Sequence, residues 1–287
     1  MLQSSRDPAV SSEDPAMAAG HLTSRAYWRR TWSGVELPHV TRPSPDVRRI
    51  LRDILPRDAS SLLEVGCAPG GWMAFFWKEF GHRVHGIEYV PESAELARRN
   101  LDMLGAEAEV TCGDFFEIES SSEYEIVFSA GFIEHFVDTD DVVARITNLA
   151  TRNVVTLVPN LFGINGAICR VVRRDVYDKH VRLDPETLRR AHEKAGLRTR
   201  FCGYAGGIRL INVAAGNPFF ERHPHIAASI NRPVDYLNRF LRMISEWVPA
   251  PMSSRWWSPS VLYLGERVLR ASWPTHSLED GSGRGAS

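Results

Sequence analysis

Short, mostly apolar runs alternate with longer amphipathic segments along most of the chain. The runs predict strands at residues 62–65, 83–88, 108–112, 124–129, 153–158, 198–203 and 260–264. Apolar residues at helical spacing predict helices at residues 46–55, 70–80, 91–104, 140–149 and 185–195. Such alternation is typical of parallel βαβ units, and uninterrupted apolar strands are typical of a sheet covered on both faces. The pattern therefore predicts an α/β fold.

The alternation stops near residue 217 and resumes at residue 260. Within this interval, residues 233–248 carry apolar side chains at helical spacing, which predicts an amphipathic helix inserted before the last strand. The uncharged run 153–169 contains a proline and two glycines and is too short to span a membrane. It predicts a strand that continues into a loop.

Aromatic side chains cluster before the first predicted helix. Tyr27, Trp28 and Trp32 precede a proline-rich link, and they predict either a lid over a site or an anchor packed on the core. Both chain ends have the composition of disordered tails. The predicted organisation is a tail at 1–20, a lid or anchor at 21–45, a main domain at 46–216, a helical cap at 217–259, the last strand at 260–272 and a second tail at 273–287.

Composition and charge narrow the classes of protein. The chain has 287 residues, of which 44% are hydrophobic and 24% charged, and a net charge of −1, which argues against a nucleic-acid partner. None of the four cysteines forms a CxxC pair, so neither a zinc site nor a disulfide framework is predicted. The first residues lack the basic start and apolar stretch of a signal peptide. These features predict a cytoplasmic protein.

The most informative stretch is a predicted strand, a glycine-rich turn and a helix at residues 62–80. Glycines let a ligand approach the backbone, and a helix N-terminus offers free N–H groups. Glu64 precedes Gly66 at the strand end, where a carboxylate would repel a pyrophosphate but attract a cation. This E-x-G-x-x-x-G pattern resembles motif I of class I S-adenosylmethionine (SAM)-dependent methyltransferases. The family usually has a third glycine where this chain has Ala68.

The resemblance implies a Rossmann-like, doubly wound sheet of seven strands in the order 3-2-1-4-5-7-6, with strand 7 antiparallel. It also implies SAM as cofactor, since its sulfonium and ammonium suit Glu64. Glu88, 22 residues after Gly66, is expected to accept the ribose hydroxyls. Asp114 is expected to accept from the adenine amine. The full expected cofactor site is Glu64, Gly66, Ala68, Gly70, Glu88, Tyr89, Gly113, Asp114, Phe115, Ser129 and Gly131.

The segment Gly131-Phe132-Ile133-Glu134-His135-Phe136 resembles the GxIEHF segment of small-molecule methyltransferases of the ubiquinone/menaquinone-methylase-like group. His135 titrates near working pH and is predicted to deprotonate the acceptor, with a loop-fixing role as the alternative. His180 is the second candidate base. Tyr27, Trp28, Trp32 and Asn160 are predicted to contact the substrate. Methyl transfer needs alignment and the removal of one proton, so no catalytic triad is required.

Several other classes fit less well. A metal-assisted catechol-type enzyme would have acids after strands four and five, but this chain has Ser129 and Asn160, so no metal is expected. The segment GCAPGGW resembles ribosomal RNA ribose methyltransferases, yet their K-D-K-E tetrad does not carry over. The (N/D)PP(Y/F) motif of amino-methylating nucleic-acid enzymes is missing as well.

The predicted function is methyl transfer from SAM to an oxygen or nitrogen of a small, apolar or aromatic metabolite, with a place in secondary metabolism suggested by association alone. Three alternatives stay open. They are a catalytically silent scaffold with this fold, an RNA methyltransferase, and a peripheral membrane enzyme whose 234–257 segment lies in the bilayer interface.

Overall fold

A seven-stranded sheet organises the protein in a computed structural model, which describes residues 20–117, 123–210, 218–247 and 253–268. Its order is β3-β2-β1-β4-β5-β7-β6, with β7 antiparallel to both neighbours and every other pairing parallel. The predicted fold class is therefore confirmed. The strands are β1 (Ser61–Val65), β2 (Arg83–Glu88), β3 (Ala108–Cys112), β4 (Tyr124–Ala130), β5 (Ala150–Pro159), β6 (Leu197–Ala205) and β7 (Ser260–Arg267).

Helices cover the sheet and extend beyond it. They are α1 (Arg25–Trp32), α2 (Pro45–Ile54), α3 (Gly71–Phe80), α4 (Pro91–Leu104), α5 (Thr139–Leu149), α6 (Ile164–Val172), α7 (Arg174–Tyr177), α8 (Pro185–Lys194), α9 (Pro218–Arg222) and α10 (Pro224–Trp247). Successive residues of β1 enter opposite cores: Leu62 packs with Phe76 of α3, and Leu63 with Ile146 of α5. Both leucines are buried, as the uninterrupted apolar strands predicted.

The run 153–169 contains more regular structure than predicted. Its last part forms α6, where the sequence predicted a loop because Gly163 and Gly166 look like helix breakers. At Gly166 a Cβ would overlap the backbone of Leu161, so this glycine permits a close backbone approach inside a helical segment. The loop prediction was wrong because it treated a packing glycine as a terminator.

The cap helix also differs from the prediction. The sequence placed its start at Pro233, because proline favours the first turn of a helix. In the structure α10 begins at Pro224 and carries Pro233 inside it, and α9 precedes it. The predicted tails, apart from Gly20, and the end of the segment 260–272 lie outside the described residues.

Candidate active site

A cavity of about 210 Å³ opens at the carboxyl ends of β1, β2 and β4. A single water needs only roughly 10–15 Å³, so this volume holds a much larger ligand. Its position fits the rule that open α/β sheets bind ligands outside the carboxyl ends of their strands. Of the residues predicted from sequence, the cavity is lined by Trp28, Trp32, Glu64, Gly66, Ala68, Glu88, Tyr89, Gly113, Asp114, Phe115, Gly131 and His135.

The turn after β1 forms one wall of the cavity. Gly66 has a φ of +72°, and its N–H donates to the carbonyl of Ile87 at 2.9 Å. A side chain at Gly66 would be strained at this φ and would approach the ring of Phe132 to 3.0 Å. Gly70 precedes α3 and packs against α4 next to Ala97, so it shapes the turn without lining the cavity.

Glu64 places a carboxylate in this wall. Its side chain is buried, the backbone N–H of Met73 donates to it, and Oε2 has no hydrogen-bond partner among the described residues. Burial and then the nearby Glu88 raise the pKa of Glu64 well above its ordinary range. A buried carboxylate with an unpartnered oxygen facing a cavity fits a ligand that carries a positive charge, as SAM does.

Glu88 lies at the end of β2, where the sequence predicted the ribose contact. Its Oε1 accepts from the N–H of Val90 at 3.1 Å and its Oε2 from the N–H of Ala68 at 3.3 Å. Burial raises its pKa despite these hydrogen bonds. A carboxylate has about four lone-pair positions, so Glu88 can hold the glycine-rich turn and still accept hydroxyl groups from a ligand.

Aromatic rings form the wall beyond β3 and β4. The buried Phe115 packs edge-to-face on Phe132 at 5.5 Å, and His21 packs on Phe136 at 4.5 Å. Asp114 lines the cavity, but its Oδ1 accepts from the N–H of Phe116 at 2.8 Å in a tight turn. An apolar, aromatic wall with one carboxylate at its edge suits an adenine ring.

The sequence missed most of this wall. Phe116, Phe132, Phe136 and His21 all line the cavity, although only Phe115 was predicted. Ser129, in contrast, was predicted to line the cavity but is not among its lining residues. It is buried in β4 and its Oγ finds no hydrogen-bond partner in the part of the chain that the structure describes. Ala130 and Gly131 take its place in the lining.

His135 belongs to the 3-10 turn Ile133–His135 and lines the cavity. Trp28 packs edge-on against its ring at 4.8 Å, and the ring of His180 lies 4.4 Å away. Burial, followed by the neighbouring His180, lowers the pKa of His135 to about 3. General bases work best when their pKa lies near the working pH, so this geometry disfavours His135 as a simple base.

Three further predicted residues lie outside the cavity lining. His180 packs behind His135, and its Nδ1 lies 2.6 Å from the carbonyl oxygen of Val176. Tyr27 packs edge-on against Trp28, with the ammonium of Lys179 4.6 Å above its ring.

The third residue, Asn160, is buried and structural. Its Nδ2 donates to the carbonyls of Arg255 and Ser258, each at 2.9 Å, and its Oδ1 accepts from the N–H of Phe162. These bonds hold the segment that leads into β7. The structure therefore does not support the predicted substrate contact of Asn160.

The N-terminal segment covers the cavity. Leu22 donates its N–H to the carbonyl of His135 at 2.8 Å, and Trp28 Nε1 donates to Thr23 Oγ1 at 3.0 Å. No residue of α1 is buried, although Trp28 and Trp32 line the cavity. Of the two alternatives left by the sequence, this arrangement favours a lid over a core anchor.

Comparisons with known proteins agree with this architecture. Residues 62–152 match the sequence profile of the family described as "Methyltransferase domain". The search of curated proteins finds no match. No helix in the described ranges is long and apolar enough to cross a membrane.

Solved structures with a similar fold include three methyltransferases. One is in a complex with the Haloferax volcanii Trm112 methyltransferase activator (15% identity, TM-score 0.53, 77% of this chain and 87% of that chain). Another is a candidate sarcosine dimethylglycine methyltransferase from Galdieria sulphuraria (15%, 0.52, 85% and 97%). The third is magnesium protoporphyrin IX methyltransferase from Synechocystis PCC 6803 with bound S-adenosylhomocysteine (12%, 0.51, 89% and 100%).

At these identities the likeness is one of fold. The family match and the sheet order nevertheless define the class of the protein. It is a SAM-dependent methyltransferase with the class I fold, and SAM is its cofactor.

Proposed function

We propose that the protein transfers the methyl group of SAM to an oxygen or nitrogen atom of a small, apolar or aromatic molecule. The observation that carries the proposal is one continuous cavity with two different walls. One wall holds the carboxylates of Glu64 and Glu88, and the other holds the tryptophans of the lid. A charged cofactor and an apolar acceptor are thereby brought together in a single space.

The carboxylate wall orients the cofactor. In this proposal Glu64 pairs with its cationic end, Glu88 accepts from the ribose hydroxyls, and Phe115 packs on the adenine. When bound, SAM supplies a methyl group that is already activated for transfer. The protein then has to align an acceptor atom with this group and exclude water.

In this proposal the methyl acceptor binds in the part of the cavity that the lid lines. Trp28 and Trp32 stack with their ring centroids 6.4 Å apart and an interplanar angle of 15°. Both rings line the cavity, as does Trp72 of α3. Large aromatic surfaces favour apolar or aromatic ligands and exclude water from the reacting atoms. Two proteins of the same fold are named for small-molecule methyl acceptors, which supports a small acceptor here.

The first test is calorimetry of the full-length protein with SAM, S-adenosylhomocysteine and NAD. We expect a single site for the two SAM-type ligands and none for NAD. Incubation with SAM and a panel of phenols, amines and carboxylates, followed by mass spectrometry, then identifies acceptors by a mass gain of one methylene. A preference for NAD would refute the proposed cofactor site, and SAM binding without turnover on any acceptor would favour the scaffold alternative.

A further inference from the structure

We propose that Glu134, His135 and His180 bind a divalent transition-metal ion at the wall of the cavity. The sequence led us to expect no metal, because that expectation considered the residues directly after β4 and β5. The cluster instead combines the 3-10 turn after β4 with the loop before α8. Metal binding itself is independent of the proposed function, whereas the catalytic role derived below rests on it.

The three side chains already surround a common point. Each offers one ligand atom, and these atoms all lie within 4.8 Å of one another. Glu134 Oε1 is 4.0 Å from His135 Nε2. In a tetrahedral site, two ligands that are each about 2.0–2.2 Å from the metal are about 3.3–3.6 Å apart. Binding an ion therefore requires side-chain rotations that bring the three atoms closer together by roughly 1 Å.

Hydrogen bonds hold both imidazole rings in the tautomer that can bind a metal. His135 Nδ1 lies 3.3 Å from the carbonyl oxygen of Lys179, and His180 Nδ1 lies 2.6 Å from that of Val176. A carbonyl only accepts, so Nδ1 of each ring carries the proton and Nε2 keeps its lone pair. Metal-binding histidines usually show this second hydrogen bond, which fixes the tautomer and the ring orientation.

Glu134 supplies the negative charge. It is 1% exposed, and in the described ranges no side chain hydrogen-bonds to its carboxylate oxygens, which face only the backbone N–H groups of Phe132 and Glu134. The nearest lysine in sequence to the histidines, Lys179, has its ammonium over the ring of Tyr27 instead. An unpaired carboxylate is costly to bury, so this oxygen pair is suited to a bound cation.

The donor set indicates the class of ion. Two histidines and one glutamate are one of the ligand sets of catalytic zinc sites, and two histidines with a carboxylate also bind iron(II). Three protein ligands leave a coordination position open. His135 lines the cavity, whereas Glu134 and His180 lie outside its lining, so an ion held by the three would sit beside the cavity, next to His135.

This site deepens the proposed function. An acceptor hydroxyl that reached the open position past His135 would have a lowered pKa and would release its proton to water. A lone pair of its oxygen then forms the bond to the methyl carbon, while the electrons of the breaking carbon–sulfur bond stay on sulfur. His135 acts here as a ligand, because a nitrogen that binds a metal has no lone pair left for a proton.

The test uses tag-free, full-length protein that has been stripped with a chelator and titrated with zinc chloride. We expect one zinc per chain by calorimetry and elemental analysis, and a rise in melting temperature with added zinc. Glu134→Gln and His180→Gln should each weaken zinc binding more than about 100-fold, beyond the 10–100-fold typical of outer-shell partners. The exposed His223→Gln on the cap is the matched control and should leave zinc binding unchanged.

Different results would overturn the metal site, its catalytic role and the proposed function. The site would be overturned if the protein bound neither one zinc per chain nor, in the same titration repeated with iron(II), one iron per chain, or if both cluster variants bound with unchanged affinity. His180→Gln keeps the test valid if Glu134→Gln does not fold, because His180 is only partly buried. Turnover that is unaffected by stripping would overturn the catalytic role. SAM affinity measured in the same samples reports on the proposed function separately, since no cluster residue belongs to the carboxylate wall.

Discussion

Replacing Glu64 with glutamine tests how the site recognises a cationic cofactor. Glutamine keeps the size of the side chain and removes its charge. In the ligand-free protein, burial and then Glu88 raise the pKa of Glu64 well above its ordinary range. A bound cation favours the charged carboxylate, so SAM binding should release a proton. The affinity of the wild-type protein should therefore rise as the pH rises and fall as Glu64 becomes protonated.

The expected loss of SAM affinity follows from the hydrogen bond between SAM and the Glu64 carboxylate that the substitution weakens. Hydrogen bonds to charged groups contribute about 1.5–3 kcal/mol, so Glu64→Gln should weaken SAM binding by roughly 10- to 150-fold at a pH where Glu64 is ionised in the complex. The variant should also lose the pH dependence that Glu64 causes. Calorimetry with SAM at a series of pH values measures both effects.

Although Glu64→Gln should weaken SAM binding, it should stabilise the ligand-free protein. A carboxyl whose pKa is raised on folding favours the native state at low pH, and this contribution is lost as the pH rises from its unfolded pKa of about 4.3 through the folded one. Glu64→Gln removes this pH-dependent loss of stability, so its melting temperature without ligand should exceed that of the wild type at neutral pH.

The matched control is Glu109→Gln, which changes an exposed glutamate of β3 away from the cavity. It should alter neither SAM affinity nor its pH dependence. The reasoning would be refuted if Glu64→Gln bound SAM as tightly as the wild type at every pH. A variant that binds weakly and also melts at a lower temperature would instead assign Glu64 to the structure of the turn.

Three further perturbations separate cofactor, structural and lid roles. Glu88→Ala should weaken SAM binding by about 1.5–3 kcal/mol without unfolding the chain, and an unchanged dissociation constant would show that Glu88 only holds the neighbouring backbone amides. Asn160→Ala should lower the free energy of unfolding by about 1–3 kcal/mol, because it leaves buried carbonyls unpaired. A selective rise in KM, seen in steady-state kinetics, would restore its predicted substrate role. Deleting residues 1–34 should reduce turnover more than melting temperature, whereas deleting residues 1–16 should change neither; equal losses for the longer deletion would favour the anchor alternative.

The order of the elements could be predicted because local signals in the sequence agree with the global fold. Residues 83–88, 91–104 and 108–112 match the observed β2, α4 and β3 to the residue. Pro91 starts the helix and Gly105 ends it, and both act through backbone geometry that does not depend on distant residues. Gly166 in α6 misled the prediction, because a glycine is required there by a close contact with the backbone of Leu161 and not by the end of a helix.

The expected cofactor residues were found from their positions after successive strands. Parallel strands end at one edge of a sheet, so chain order alone brings Glu64, Glu88 and Asp114 together. Side-chain direction was harder to predict, because neighbouring residues of a strand point to opposite faces and a shift of one position reverses the result. Ser129 is buried for this reason, whereas its neighbour Ala130 in β4 lines the cavity.

Contacts between segments far apart in the chain were decided by the tertiary structure alone. Periodicity and motifs describe neighbours in sequence, whereas the aromatic wall joins His21 of the N-terminal segment to Phe136 after β4. In the same way, the proposed metal site depends on the loop before α8, which places His180 against His135. The sequence determined that this chain builds a sheet with a SAM-type site at its edge. Packing of the N-terminal segment and of this loop onto the turn after β4 decided which side chains complete the site.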